Sequence, residues 1–434
     1  MEDTSTQSSK RQVSKRQVIT FVMTTEYNGF AYAGFQRQSR TPTSSNEDIT
    51  TTEKKRKRNH NINQELQPAS NNKSGRNSNA VLTVQDRIEQ ALHKWTGLSL
   101  LTLRVRGAGR TDKGVSATHQ VVAFDVPLSS VIDEEAKNNG EVRDGDIEIS
   151  AHALPLLQEA YQTLVKHNLT RKETETNQFI DHWKIRRAIS TRLPTDIVIR
   201  SIRIWNGSVP FEARQNVACK TYIYRLRFRC IAYETAKSKE GHANMHPICN
   251  AGPHLLRRLN DHNTVWLSPW PLDKDKIRLA CEPFVGRHNF YNFVHKAERK
   301  ESNGSSRPSL VRRRERYQQS TSNADEENGE DKYLMDLFEF NVQMQPEEEP
   351  DKTLPPVIDA TFTLKAKGFH RSQVRNLVGF VVDVARGERS LDDAKVLLVE
   401  SGDANDTKSL PTVNSAPASG LCLANVEYEH NEFL

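Results

Sequence analysis

The apolar residues of this 434-residue chain come in short packets, and none approaches the roughly 18 consecutive apolar residues that a membrane-spanning helix needs. Each packet has the length of one strand or one amphipathic helix. Such a chain can build sheets backed by helices but not a helical membrane bundle. Val18 to Tyr27 (VITFVMTTEY) is β-branched and aromatic and reads as a buried strand, with Asn28-Gly29 supplying a turn after it. Val84, Ile88, Ala91, Leu92 and Trp95 recur at offsets of 4, 7, 8 and 11, one face of a helix that Gly97 can end. Leu101 to Arg106 and Gln120 to Val126 read as strands, Trp183 to Ile189 as a helix, and Ile197 to Trp205 as a strand. In Lys220 to Phe228 the alternation is clear: Tyr222, Tyr224, Leu226 and Phe228 share one face, and Thr221, Ile223, Arg225 and Arg227 the other. Val357 to Leu364 reads as a strand, and Val374, Leu377, Val378, Val381 and Ala385 mark a helix that Gly387 could end.

Polar stretches interrupt this pattern. Residues 39–79, 129–177, 300–332 and 346–354 read as disordered inserts, with a helix foreseen at 153–164 inside the second. The expected organisation is a basic N-terminus (1–15), an N-terminal catalytic lobe (16–205) and a C-terminal lobe (206–434). The N-terminus lacks the apolar stretch of a secretory signal, and Glu2 and Asp3 argue against an organelle-targeting helix. Inside the first insert lies Lys54-Lys55-Arg56-Lys57-Arg58. A nuclear import signal and a phosphate-binding tether both explain it. Nuclear location is the expectation taken forward, cytoplasmic otherwise.

The net charge of +6 understates the basicity of the folded segments, because much of the acid (Asp325-Glu326-Glu327, Glu347-Glu348-Glu349) sits in the inserts. Arg225, Arg227, Arg229, Arg257 and Arg258 remain elsewhere, which suits a polyanionic partner. The five cysteines are scattered with no C-x-x-C, so neither a disulfide framework nor a cysteine-rich zinc site is expected. His242, His246, Cys249 and His254 have metal-compatible spacing but read as a loop, and no metal is expected there. No P-loop and no dinucleotide-binding Gly-x-Gly-x-x-Gly occurs.

One loop carries candidate chemistry: Gly107-Ala108-Gly109-Arg110-Thr111-Asp112-Lys113-Gly114, between two apolar segments. Its three glycines permit close approach of a large ligand. Asp112, flanked by Arg110 and Lys113, is a carboxylate kept ionised by positive neighbours, able to act as nucleophile or general base. The residues alone also admit a turn-capping Asp between solvated cations.

Gly109-Arg110-Thr111-Asp112-Lys113-Gly114-Val115-Ser116-Ala117, followed by Gln120-Val121-Val122, resembles the active-site signature of the TruA family of tRNA pseudouridine synthases. The likeness continues in order along the chain. It takes in Glu26-Tyr27-Asn28-Gly29, Gly34-Phe35-Gln36-Arg37-Gln38, Thr83-Val84-Gln85-Asp86 and Leu193-Pro194-Thr195-Asp196-Ile197. Further on it includes Phe211-Glu212-Ala213-Arg214, Lys220-Thr221-Tyr222-Ile223-Tyr224, Phe284-Val285-Gly286 and Val374-Arg375-Asn376-Leu377-Val378-Gly379. Phe35 stands where bacterial members usually have Trp, and Lys113 and the inserts resemble the eukaryotic branches.

The resemblance implies an α/β (α+β) fold of two similar lobes, each a mainly antiparallel sheet backed by helices, with a basic RNA-binding cleft between them. It implies isomerisation of uridine to pseudouridine in tRNA, in the anticodon stem-loop at about tRNA positions 38–40, without metal or cofactor. Asp112 is the implied catalytic carboxylate, attacking ribose or base or removing a sugar proton. Tyr222 would stack on the detached uracil, Arg375 would pair with Asp112, and Arg110 would fill the space left by the flipped nucleotide. The implied partner is tRNA, not a membrane, and the resemblance admits a homodimer. A catalytically silent RNA-binding protein on the same fold is the rival reading, and a chain freed from catalysis has no need of Asp112, Tyr222 and Arg375 together.

Overall fold

The computed structural model describes residues 18–37, 82–132, 149–170, 179–207, 211–215, 217–231, 256–258, 261, 263–295, 333–346, 356–398 and 413–429. The basic run 54–58, the His242/His246/Cys249/His254 group and most of the polar inserts lie outside the described residues.

Eleven strands form one sheet: β1 Val18–Tyr27, β2 Arg106–Gly107, β3 Ser116–Pro127, β4 Phe179–Asp181, β5 Ile197–Trp205, β6 Val217–Arg229, β7 Trp266–Leu267, β8 Gly286–Asn289, β9 Leu334–Pro346, β10 Val357–Ala366 and β11 Leu421–Tyr428. The order across it is β4-β5-β1-β3-β11-β6-β10-β9-β8, with β2 on β3 and β7 on β6. Pairing is antiparallel except at β3/β11 and β6/β7. One flank is thus built from residues before 206 and the other from residues after it. They join at a short parallel seam, Cys422 opposite Ser116 and Leu423 opposite Ala117. The glycine-rich loop feeds β3 at this seam.

Sequence explains the elements that flank it. β1 is buried at nearly every position, as its unbroken β-branched and aromatic run requires, and Phe21 stacks on its cross-strand partner Phe124 at 5.0 Å. The Val84–Thr96 helix buries its Val84/Ile88/Ala91/Leu92/Trp95 stripe. Thr83 caps its start by accepting from Asp86 N, a contact of about 1 kcal/mol, and Gly97 ends it at φ 79°. Toward the other end of β3, the buried carboxylate of Asp125 accepts from Thr20 Oγ1 (2.8 Å) and from both terminal nitrogens of Arg106 (2.9 Å each). Arg106 also donates to the Phe211 carbonyl, fastening β2 and β3 to the segment that carries Arg214. In the other flank, the Gln373–Ala385 helix is buried along almost its whole length.

The structure corrects two sequence expectations. Leu101 to Arg106 is not a strand but a helical turn, Leu100–Leu103, followed by Arg104 in the left-handed region at φ 44°. Ser99 caps the turn through Thr102 N, and the turn buries Leu98 and Leu103 while leaving Leu101 outside; a strand would send Leu101 the same way as Leu103. The stretch 129–177 is not wholly an insert. It holds Ser129–Ile132 and Leu154–Thr170 as helices, with Ala153, Leu157 and Ala160 in the core and Ser150 N bonded to the Thr96 carbonyl. Asn28-Gly29 does lead into a turn, in which the Gly29 carbonyl accepts from Tyr32 N at 2.9 Å. The Asn28 side chain accepts from Phe30 N, and Gly29 is needed because a Cβ there would strike the Val115 carbonyl.

Candidate active site

The backbone of the loop is gripped along its whole length. Ala108 N donates to the Val121 carbonyl at 2.8 Å. The next peptide is clamped by Gln120, fully buried, whose side chain accepts from Gly109 N (3.1 Å) and donates to Gly109 O (2.8 Å). Arg214 Nε reaches the Gly107 carbonyl at 3.2 Å and Lys220 Nζ the Ala108 carbonyl at 2.9 Å. On the far side, Phe35 N donates to Thr111 O and Gly114 N to Tyr32 O, both at 3.1 Å. Gly34 lies there at φ 108°, where a Cβ would come within 2.7 Å of the Thr111 carbonyl. The segment after β1 and the segment before β3 therefore run against each other and leave the loop one conformation.

Out of this frame Asp112 projects, partly exposed, while Thr111 turns inward and shares a 2.9 Å hydrogen bond with the hydroxyl of Tyr27. Asp112 Oδ2 accepts from Ser372 Oγ at 3.3 Å, and Oδ1 stands 3.7 Å from Arg371 Nε. Both residues immediately precede the Gln373–Ala385 helix, so the carboxylate sits at that helix's N-terminus, where the backbone dipole also favours an anion. Ser372 holds its place in the left-handed region, φ 60° and ψ 2°, uncommon for a residue with a Cβ. Tyr222, on β6, is 8% exposed and meets Phe369 edge-on at 5.2 Å. Burial first, and the nearby Asp112 charge second, push its pKa well above the ordinary value, so at neutral pH it is a phenol with a proton to give or share. Tyr27 is likewise pushed up, mainly by burial.

The structure places Asp112 near enough to Tyr222 for its charge to act on the phenol. Arg110 and Lys113 are exposed on the loop, and the cation set against the carboxylate comes from near the other end of the chain. It is Arg371 rather than Arg375. The Arg375 Nε donates instead to the Ala416 carbonyl at 2.6 Å. The cause is helix geometry. Arg375 and Gly379 lie one turn apart on the face packed against residues 413–418, and a Cβ on Gly379 would collide with the Asn414 carbonyl. That close packing brings the Ala416 carbonyl within reach of Arg375. Sequence reasoning passed over Arg371, Ser372 and Lys220. Only Lys220 had a local signal, since it lies two residues before Tyr222 on the same strand face.

Among the described residues no group of three His, Cys, Asp or Glu side chains is placed to hold a metal ion, and no helix is long and apolar enough to cross a membrane.

A mixed α/β architecture dominated by one mainly antiparallel sheet is consistent with the fold of pseudouridine synthases. Comparison with known proteins agrees. A family model described as tRNA pseudouridine synthase matches residues 280–429, which include Arg371, Ser372 and Arg375. The protein named tRNA pseudouridine synthase A of Leuconostoc mesenteroides is 23% identical over 349 residues, covering 80% of this chain and 89% of that one. The one of Limosilactobacillus reuteri is 23% identical over 350 residues, covering 81% and 89%. A Bacillus cereus protein named tRNA pseudouridine synthase A 1 is 24% identical over 349 residues, covering 80% and 90%. The chain is thus similar to the TruA family of tRNA pseudouridine synthases, along most of its length in these relatives and over residues 280–429 in the family model.

Proposed function

We propose that the chain isomerises uridine to pseudouridine in tRNA, with Asp112 as the reacting carboxylate and Tyr222 as its aromatic partner. The reaction breaks the bond from uracil N1 to ribose C1′, turns the base, and joins C5 to C1′; N1 gains a proton and C5 loses one. The single observation that carries the reading is the setting of Asp112: a carboxylate projecting from a fully braced loop toward a buried phenol, with Ser372 and Arg371 holding both its oxygens. A braced anion needs little reorganisation to act on C1′, C6 or a sugar proton, the three routes open to it. Tyr222 offers a ring face for the detached base and a phenol close to where the C5 proton must leave.

A nucleotide stacked in RNA must leave its stack to reach Asp112, which costs a few kcal/mol. Arg110, exposed two residues before Asp112, is positioned to enter the vacated space. A target in the anticodon stem-loop is part of the proposal, as are binding of tRNA in a basic cleft and a homodimer, which sedimentation would test. Nuclear location directed by residues 54–58 belongs to it too. The silent RNA-binding alternative is disfavoured, because a binding protein has no use for a carboxylate held by Ser372 and Arg371 beside a buried tyrosine. Incubation of purified protein with tRNA carrying tritium at uridine C5 tests the proposal: tritium released to water supports it, and tight tRNA binding without release favours the silent reading.

A further inference from the structure

Lys220 is a buried charged residue at the loop that the scheme above leaves unused. It precedes Tyr222 by two residues on β6, so both side chains leave the strand on one face. Its Nζ donates to the Ala108 carbonyl at 2.9 Å, and no carboxylate pairs with it among the described residues. Its cross-strand partners Ala366 on β10 and Val426 on β11 bring no charge. Lys365 and Glu427 flank those partners and point to the opposite face, where Lys365 pairs with Glu339. The one charged group that acts on Lys220 is Arg214, whose own Nε takes the adjoining Gly107 carbonyl. Burial first, and Arg214 second, lower the Lys220 pKa from its ordinary 10.5 to about 8. A Met of similar length would fill the same space without that desolvation, so packing alone does not account for a lysine.

We infer that Lys220 is a positioning residue for the reaction: through the Ala108 carbonyl it holds the glycine-rich loop where Asp112 faces Tyr222. The inference rests on the reading of Asp112 as the reacting carboxylate. Gly107 and Gly109 border the gripped peptide, and glycines leave a backbone free to drift unless it is tied. Gln120 ties Gly109, and Lys220 ties the carbonyl before it. A protonated amine makes the stronger tie, since charge-assisted hydrogen bonds are about twice as strong as neutral ones. A drift of about 1 Å at a reacting group can cost on the order of a hundredfold in rate.

The test uses the full chain with C5-tritiated tRNA and compares Lys220→Met, Lys220→Arg and Asp112→Asn with wild type. Lys220→Met is expected to keep its thermal midpoint, to hold KM within about threefold, and to lose about tenfold or more in kcat. Lys220→Arg restores the tie with a cation that does not titrate. It should recover most of kcat and keep it above pH 8, where the wild type declines. A Lys220→Met kcat within about twofold of wild type, or a loss confined to KM, overturns the inference. So does a Lys220→Arg profile whose alkaline limb coincides with that of wild type, a readout that stands even if the Met variant fails to fold. If Asp112→Asn itself turns over normally, the underlying assignment has failed instead.

Discussion

Ser372 donates its hydroxyl to Oδ2 of Asp112 at 3.3 Å although 260 positions separate the two residues, and it does so from a left-handed backbone conformation. The contact spans the seam of the sheet: Asp112 belongs to the loop before β3, and Ser372 to the turn after β10. The surroundings of the Asp112 carboxylate are therefore assembled from both halves of the chain. A non-glycine residue in this region costs of order 1 kcal/mol or more and persists where its surroundings require it.

Loss of that hydroxyl should be felt in turnover more than in binding. Ser372→Ala is expected to lower kcat by about three- to thirtyfold with KM nearly unchanged, since a hydrogen bond to a charged group is typically worth about 1.5–3 kcal/mol and this one is long. Ser372→Gly should show the same kinetic loss while relieving the backbone. Steady-state kinetics with thermal unfolding checks both, and a pure KM effect would argue that Ser372 touches RNA rather than Asp112.

Chelation should leave the reaction untouched. The bond changes at N1, C5 and C1′ need no Lewis acid, and the histidines and cysteine at 242–254 do not enter the scheme. Activity after exhaustive EDTA treatment is expected to match the untreated enzyme. Inactivation reversed by zinc would make that group a site.

Stability should carry the signature of Lys220. Its folded pKa, about 8, lies below the ordinary 10.5, so between these values the unfolded chain binds more protons. Stability gained from this group therefore rises as pH increases from about 8 towards 10.5 and is absent below. Tyr27 and Tyr222, shifted upward by burial, act in the opposite sense once unfolded tyrosines ionise near pH 10. Cys219, Cys230, Cys281 and Cys422, also shifted upward by burial from their ordinary 9.0, oppose it too, so the signature is a difference: between pH 8 and 10 the stability of wild type relative to Lys220→Met should rise with pH in denaturant titrations.

Location tests the basic run. Replacing Lys54, Lys55, Arg56, Lys57 and Arg58 with Gln is expected to move a fluorescent fusion from nucleus to cytoplasm while the purified enzyme keeps its rate. Unchanged location with weaker tRNA binding and a shallower salt dependence would identify the run as an RNA tether.

What the sequence made legible follows from how local the cause was. β1, β5 and the Val84–Thr96 helix could be read with correct or nearly correct bounds because periodicity and caps lie within each segment. β9 escaped, since its outward positions Asn341, Gln343 and Gln345 are polar and its partner β10 supplies the order. Leu100–Leu103 was misread because a run of leucines fits a strand until Ser99 and the left-handed Arg104 are known. Asp112 and Tyr222 were found through motif likeness. The exchange of Arg375 for Arg371 was not legible, because it depends on which face of the Gln373–Ala385 helix meets residues 413–418.

The central claim is that the Asp112 carboxylate performs the chemistry and does not merely cap a turn. Asp112→Asn is nearly isosteric, and the amide can still accept from Ser372, so fold and tRNA affinity should stay close to wild type. A neutral amide cannot attack carbon or remove a proton, so turnover should vanish. Tritium release from C5-labelled tRNA, measured beside tRNA binding and thermal unfolding, decides the matter. A folded, tRNA-binding protein with no detectable release is expected, and release within about tenfold of wild type would mean that the carboxylate only caps a turn.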